Sequence, residues 1–388
     1  MQQMRHPQPT PASEMERRWS LICRQMERRG IDCLILYNIN RISSGQIRYV
    51  ADLHLDRSPV VLLFFQSSEM VFVSSGRVFP EGEEIGAGCT EQISVKSIDV
   101  LHYTGRNLGN RVAKELKGRQ VKRVGAVTPD KFPVGLYVPI QEAFPEAIED
   151  SSNWFEQIRS IKSPYEIQCA YESARQHDAL AAEVQKLIRP GISESYLRNH
   201  INLLAFDSGF SDTNVNFGFD SRKPGFPPVF FQNQVLRQED YIIGLIQGNG
   251  YGGSAMEVGR IWHINEPDAA MEKACADAFY VENNIAEQLI PGAAPSEIFR
   301  KANYLLKEMG YEEEWRLFGH GEFMDFIERP SIMPEETMPL AENMIVAIHP
   351  TVSNKEVSAF ACDNYLITTK GAVRINQTPQ TLLMVRMG

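Results

Sequence analysis

The stretch Phe318–Pro330, FGHGEFMDFIERP, sets one histidine between two glycines and follows it with three acids, an arginine and a proline. Glycines on both sides let other backbone or a ligand come close. His320 can therefore be read three ways: as a metal ligand, as a catalytic base working without metal, or as a buried histidine bonded to backbone. What stands beside it in the fold decides, and the rest of the chain supplies those neighbours.

At 388 residues the chain is long for one core and comfortable for two domains. A hydrophobic fraction of 43% and a charged fraction of 23% are those of an ordinary globular protein. The net charge of −10, with no basic run longer than a pair such as Arg28-Arg29, argues against a nucleic-acid partner. Six scattered cysteines without a C-x-x-C pair suggest free thiols in a reducing cytoplasm. There is no apolar run of bilayer length and no signal pattern at the start, so no membrane partner is expected.

The stretch 13–38 predicts a helix capped by Ser13 and closed at Gly30, running into the strand DCLILYN. PVVLLFF and EMVFVSS read as further strands, residues 100–119 as a helix and VKRVGAV as extended. Residues 1–153 are thus expected to form a small α/β domain. A second regime, residues 154–388, opens with a long helix for which Ser163 is the N-cap, Pro164 the first residue and Glu166 the capping-box partner. Two rounds of helix pairs and extended stretches follow, which suggests a structural duplication.

Six features together resemble the creatinase, prolidase and aminopeptidase P family. They are the linker SNWFEQIRSIKSPYEI, the turn IRPGISESYL, the hairpin YGGSAMEVGR, the FGHG element, the strand MIVAIHP and the terminal strand DNYLITTKGA, in the family's order. The resemblance implies a creatinase-like N-terminal α/β domain followed by a pita-bread catalytic domain, with pseudo-twofold helices around an antiparallel sheet. It also implies a homodimer, in which a partner's small domain would bring Arg41, Arg48, Tyr49 and His54 over the site.

In metal-dependent members, two divalent ions are held by two aspartates on a hairpin, the histidine of the G-H-G element and two glutamates on the last strands. Carried over, these positions fall on Ile246 or Gln247, Glu257, His320, His349 and Asp363. Glu257 and Asp363 alone carry −2, enough for one divalent cation rather than two. The expected metal set is therefore Glu257, His320, His349 and Asp363 around a single Zn, Fe or Mn ion, with a metal-free site as the alternative. The family's second histidine is replaced by Ile327 and its upstream histidine is missing, which makes ordinary proline-peptide cleavage doubtful.

Gln247 is expected to hydrogen-bond substrate, and Arg260 to orient Glu257 or hold substrate. Glu328 is expected beside the catalytic pair His320 and His349, and Arg329 as a substrate-gripping group. Phe217, with Phe219, Phe226, Phe230 and Phe231, would line the pocket mouth or anchor its loop. The reading that follows is a divergent hydrolase or lyase acting on a small polar amino-acid-like or amide-like metabolite. Its alternatives are a metal-free C–N hydrolase with histidine as acid and base, and a non-catalytic binding module.

Overall fold

The computed structural model describes residues 9–38, 45–53, 60–76, 85–89, 91–96, 105–220 and 233–385. Arg41, His54, Phe226, Phe230 and Phe231 lie outside them. The chain packs as two units, Pro9–Arg159 and the portion from Ser160 onward.

In the first unit, α1 (Ala12–Arg29) leads into β1 (Cys33–Tyr37), followed by α2 (Gly45–Ala51), β2 (Val60–Phe65), β3 (Met70–Ser75) and β4 (Glu91–Val95). Next come α3 (Asn107–Gly118), β5 (Val124–Ala126), α4 (Val134–Ala143), β6 (Ile148–Asp150) and α5 (Ser152–Ser160). The sheet order is β4-β3-β2-β1-β5-β6. Strands β1 and β2 are buried along their whole length, as their unbroken apolar runs require. Gly30 closes α1 in the left-handed conformation at φ 65°, but the N-cap is Pro11, and Ser13 sits inside the helix. Arg48 and Tyr49 are both buried in this unit, with the Arg18 guanidinium 4.7 Å from the Tyr49 ring.

The second unit repeats one motif twice. Helices α6 (Pro164–Leu187) and α7 (Glu194–Asp207) precede β7 (Asp212–Asp220), β8 (Tyr241–Asn249) and β9 (Ala255–Ile264). Helices α8 (Ala269–Ala286) and α9 (Pro295–Glu308) precede β10 (Gly319–Gly321), β11 (Glu328–Ser331), β12 (Ile345–Ile348), β13 (Thr351–Ser353), β14 (Ser358–Phe360), β15 (Asp363–Thr368), β16 (Gly371–Arg374) and β17 (Leu383–Val385). One sheet runs β17-β9-β8-β7 and another β11-β10-β12-β15-β16, each with its own helix pair. This is the duplicated arrangement expected of a pita-bread domain. The capping box is present: the Ser163 hydroxyl accepts from the Glu166 amide at 3.1 Å, and the Glu166 carboxylate accepts from the Ser163 amide at 2.8 Å. Such a cap stabilises the helix by about 1 kcal/mol.

The two sheets join where Gly259 and Cys362 exchange backbone hydrogen bonds of 3.0 and 3.2 Å. A Cβ on Gly259 would lie 2.3 Å from the Phe360 ring and 2.7 Å from the Cys362 Cβ, so only glycine lets the strands approach this closely. The chain breaks at this junction between β14 and β15.

Candidate active site

Three segments converge beside the junction: β9, β10 and the end of β12. On the β8–β9 hairpin Gln247 and Glu257 are direct cross-strand partners, and the Gln247 amide nitrogen donates to Glu257 Oε2 at 2.8 Å. Of the two hairpin candidates, Gln247 is the one that stands beside Glu257. Ile246 faces the other way, into the apolar core with α6 and α7. Gln247 Oε1 in turn accepts from Asn214 at 2.9 Å, which fixes the orientation of the amide.

His320 lies opposite Ala347 in the β10–β12 ladder, and His349 is placed by its amide donating to the Phe318 carbonyl at 2.8 Å. Residues paired across an antiparallel ladder share a face, so His320 and His349 lie on the same side. Their ring centroids are 5.0 Å apart. His320 Nε2 lies 3.9 Å from Glu257 Oε1, and one donor atom each from Glu257, His320 and His349 fall within 4.8 Å of one another. His320 Nδ1 is 3.1 Å from the Gly321 carbonyl. A carbonyl only accepts, so that contact keeps a proton on Nδ1 and turns Nε2 toward the cluster.

Asp363 is not part of this group. It pairs with Ile348, and so it sits on the opposite face of the sheet from His349. There it receives Arg260 at 2.7 Å, Arg374 at 3.1 Å and Gln380 at 3.1 Å. The neighbouring residue takes the place expected for it: the Cys362 thiol donates to Glu257 Oε1 at 3.2 Å. The same register, continued by one residue through the Ala361–Pro350 bond, sets Cys362 beside His349.

Other expectations are corrected in the same way. Arg260 is fully buried and directs its donors to Asp363 and to the carbonyls of Gly259, Cys362, Thr378 and Pro379, so it neither orients Glu257 nor faces substrate. Arg329 grips Glu336 through two nitrogens and also donates to the Thr337 hydroxyl, away from the Glu257–His320–His349 group. Glu328 accepts from Lys162 at 3.0 Å and from the amides of Met324 and Asp325, which ties down the loop after His320, and it is not in the Glu257–His320–His349 group. Phe217 is buried in the core against Trp262 rather than at a pocket mouth.

One further acid near the group stands out. Glu322 is fully buried, and neither carboxylate oxygen has a hydrogen-bond partner among the described residues. Its amide continues the β10–β12 ladder onto Ile345 at 3.4 Å, which puts its side chain on the face of His320.

Burial dominates the electrostatics. It raises the Glu257 carboxyl, opposed by His320 and by the hydrogen bonds from Cys362 and Gln247. It pushes Glu322 well above the carboxylate range, reinforced by Glu257 and Glu328 and opposed by Lys162. It holds His349 well below the imidazole range, helped by His320 and Arg316, so this ring is neutral. The Cys362 thiol is raised strongly by burial and then by Glu257, and stays protonated as a donor.

Two imidazoles and one carboxyl group are a three-donor set of the kind that holds one catalytic zinc or iron and leaves a position open. The set does not suit two ions, because Gln247 and Cys362 contribute no ionised oxygen. Residues 168–378 match the family described as metallopeptidase family M24. The uncharacterized peptidase YqhT of Bacillus subtilis is 21% identical over 301 residues, covering 76% of this chain and 85% of that protein. The Xaa-Pro dipeptidase of Lactobacillus delbrueckii subsp. lactis is 25% identical over 269 residues, covering 66% and 71%. In fold, the chain is similar to dipeptidase PepE from Mycobacterium ulcerans, with a TM-score of 0.81 at 19% identity over 98% of this chain and 100% of that one. The Xaa-Pro dipeptidase from Bacillus anthracis gives 0.77 at 19% identity over 95% and 99%.

Proposed function

Since the chain belongs to metallopeptidase family M24, we propose that it is a peptidase-like hydrolase that cleaves the C–N bond of a small polar amide, using one divalent ion held by Glu257, His320 and His349. The observation that carries this reading is the convergence of those three donors from β9, β10 and the residue that follows β12. When bound, such an ion supplies Lewis acidity toward a carbonyl oxygen and acidifies a water.

The chain's own residues prepare the position. Gln247 and Cys362 each donate to one oxygen of Glu257 and so fix the plane of its carboxylate. The Gly321 carbonyl fixes the tautomer of His320, and burial keeps His349 neutral. Ile327 stands where related peptidases carry a histidine, and it is 63% exposed with no group able to move a proton. Glu328 beside it is committed to Lys162. A small polar amide therefore suits the site better than a proline peptide.

The test is hydrolysis of a panel of amino-acid amides and short dipeptides by metal-loaded protein. Turnover that stops with chelator, returns with Zn(II) or Mn(II), and is lost in His320→Ala and Glu257→Gln supports the reading. Turnover that survives complete metal stripping contradicts it.

A further inference from the structure

The donors of the site come from two different sheets, Glu257 from β9 and the histidines from β10 and the end of β12. Their spacing therefore depends on how the sheets are spliced. Beside the site the splice includes the backbone pair Gly259 and Cys362. In an antiparallel ladder the next pair would be Glu257 and Asn364, two residues further along each strand. That backbone pair is not made. The Asn364 amide donates instead to Asn376 Oδ1 at 2.8 Å, and its carbonyl accepts from the Ile375 amide at 2.8 Å. At this point β15 exchanges β9 for β16 as its neighbour.

The Asn364 side chain spans the gap that results. Its Nδ2 donates to the Glu257 carbonyl at 2.7 Å and to Asn376 Oδ1 at 2.7 Å, and Asn376 Nδ2 approaches the same Glu257 carbonyl at 3.4 Å. Two acceptors around one nitrogen fix which way the Asn364 amide points. Both asparagines are fully buried. Asn364 Oδ1 has no partner among the described residues, a cost that an apolar side chain would avoid. Asn364 is also tied to the histidines. It is the cross-strand partner of Ala347, which is the partner of His320, so the three stand in one row on one face.

We infer that Asn364, supported by Asn376, is a positioning residue: it holds the Glu257 backbone to the row that carries His320 and so sets the spacing of the donor atoms. The inference rests on the proposed function for what that spacing serves, the grip on one divalent ion.

Two measurements on the full chain test it. One is Zn(II) affinity, by competition with a chromogenic chelator. The other is the infrared S–H stretching band of Cys362 in metal-free protein, assigned by its loss in Cys362→Ser. That thiol donates to Glu257 Oε1 at 3.2 Å, so the band reports where the carboxyl group stands without any ion. Asn364→Ala should bind Zn(II) about tenfold or more weakly and move the band to higher frequency as the hydrogen bond lengthens. Asn376→Ala should do both to a smaller degree. Leu306→Ala, on the buried face of α9, loosens the same unit away from this row and should change neither.

An unmoved band in Asn364→Ala overturns the inference, as does unchanged affinity where the wild type binds Zn(II), or an equal change in Leu306→Ala. If Asn364→Ala does not fold, Asn376→Ala decides by the same two readouts. A wild type that binds no Zn(II) fails the proposed function instead, and the band still decides the positioning.

Discussion

Gln247 and Glu257 face each other across the β8–β9 hairpin, the amide of one 2.8 Å from the carboxylate of the other. The neutral amide lets a single buried carboxylate stand here without a second charge beside it. Gln247→Glu places two acids in contact, and the metal-free variant should lose about 2 kcal/mol at pH 8. Added Mn(II) should raise its melting temperature more than that of the wild type, because the ion relieves the repulsion. Thermal melts with and without Mn(II) check this.

Asp363 belongs to the arginines on the far face of the sheet, not to the metal group. Asp363→Asn leaves Arg260 buried without its counter-charge and should cost about 3 kcal/mol in urea unfolding. Folded variant should still bind as much metal as the wild type, a result that a ligand role for Asp363 would not allow.

Lys162 and Glu328 form an ion pair whose side chains are each 1% exposed. Lys162→Met removes the lysine counter-charge from a buried carboxylate and should destabilise by about 3 kcal/mol. Adding Glu328→Gln should recover most of that loss, since neither partner is then a buried unpaired charge. Urea melts of the two single variants and the double variant give the coupling directly.

His177 is wholly buried, with Nδ1 2.7 Å from the Ser173 carbonyl and its ring 4.8 Å from Phe210. Burial lowers its pKa from 6.5 to about 4, against the smaller opposing effects of the Ser173 and Gly248 carbonyls and Asp178. The folded state thus takes up this proton less readily than the unfolded one. Its contribution is intact above pH 6.5 and is lost as the pH falls toward 4, about 3 kcal/mol in all. His177→Phe should flatten that part of the stability-against-pH curve, measured by urea melts between pH 7 and 4.

Much of the fold was legible because local signals agreed with it. The Ser163 box, Gly30 and the unbroken apolar strands each act within a few residues, and the structure keeps them. Ser13 failed as a cap because Pro11 ends the preceding chain in extended conformation and the helix begins one residue before the serine. The site was half legible. Alternation within a strand tells which residues share a face, but not which face of one strand meets which face of the next. Asp363 was misplaced for that reason: one step of register puts Cys362, not Asp363, beside His349. The partners of Arg260 and Arg329 come from distant or irregular segments, Asp363 and Glu336, which no periodicity announces. Glu322 could have been found, since it follows His320 by two residues in an extended stretch.

Metal content per chain, by inductively coupled plasma mass spectrometry after reconstitution and dialysis, bears most directly on the three-donor site. One equivalent in the wild type and none in His349→Ala is the expected result. Two equivalents in the wild type, none at all, or an undiminished equivalent in His349→Ala would contradict it.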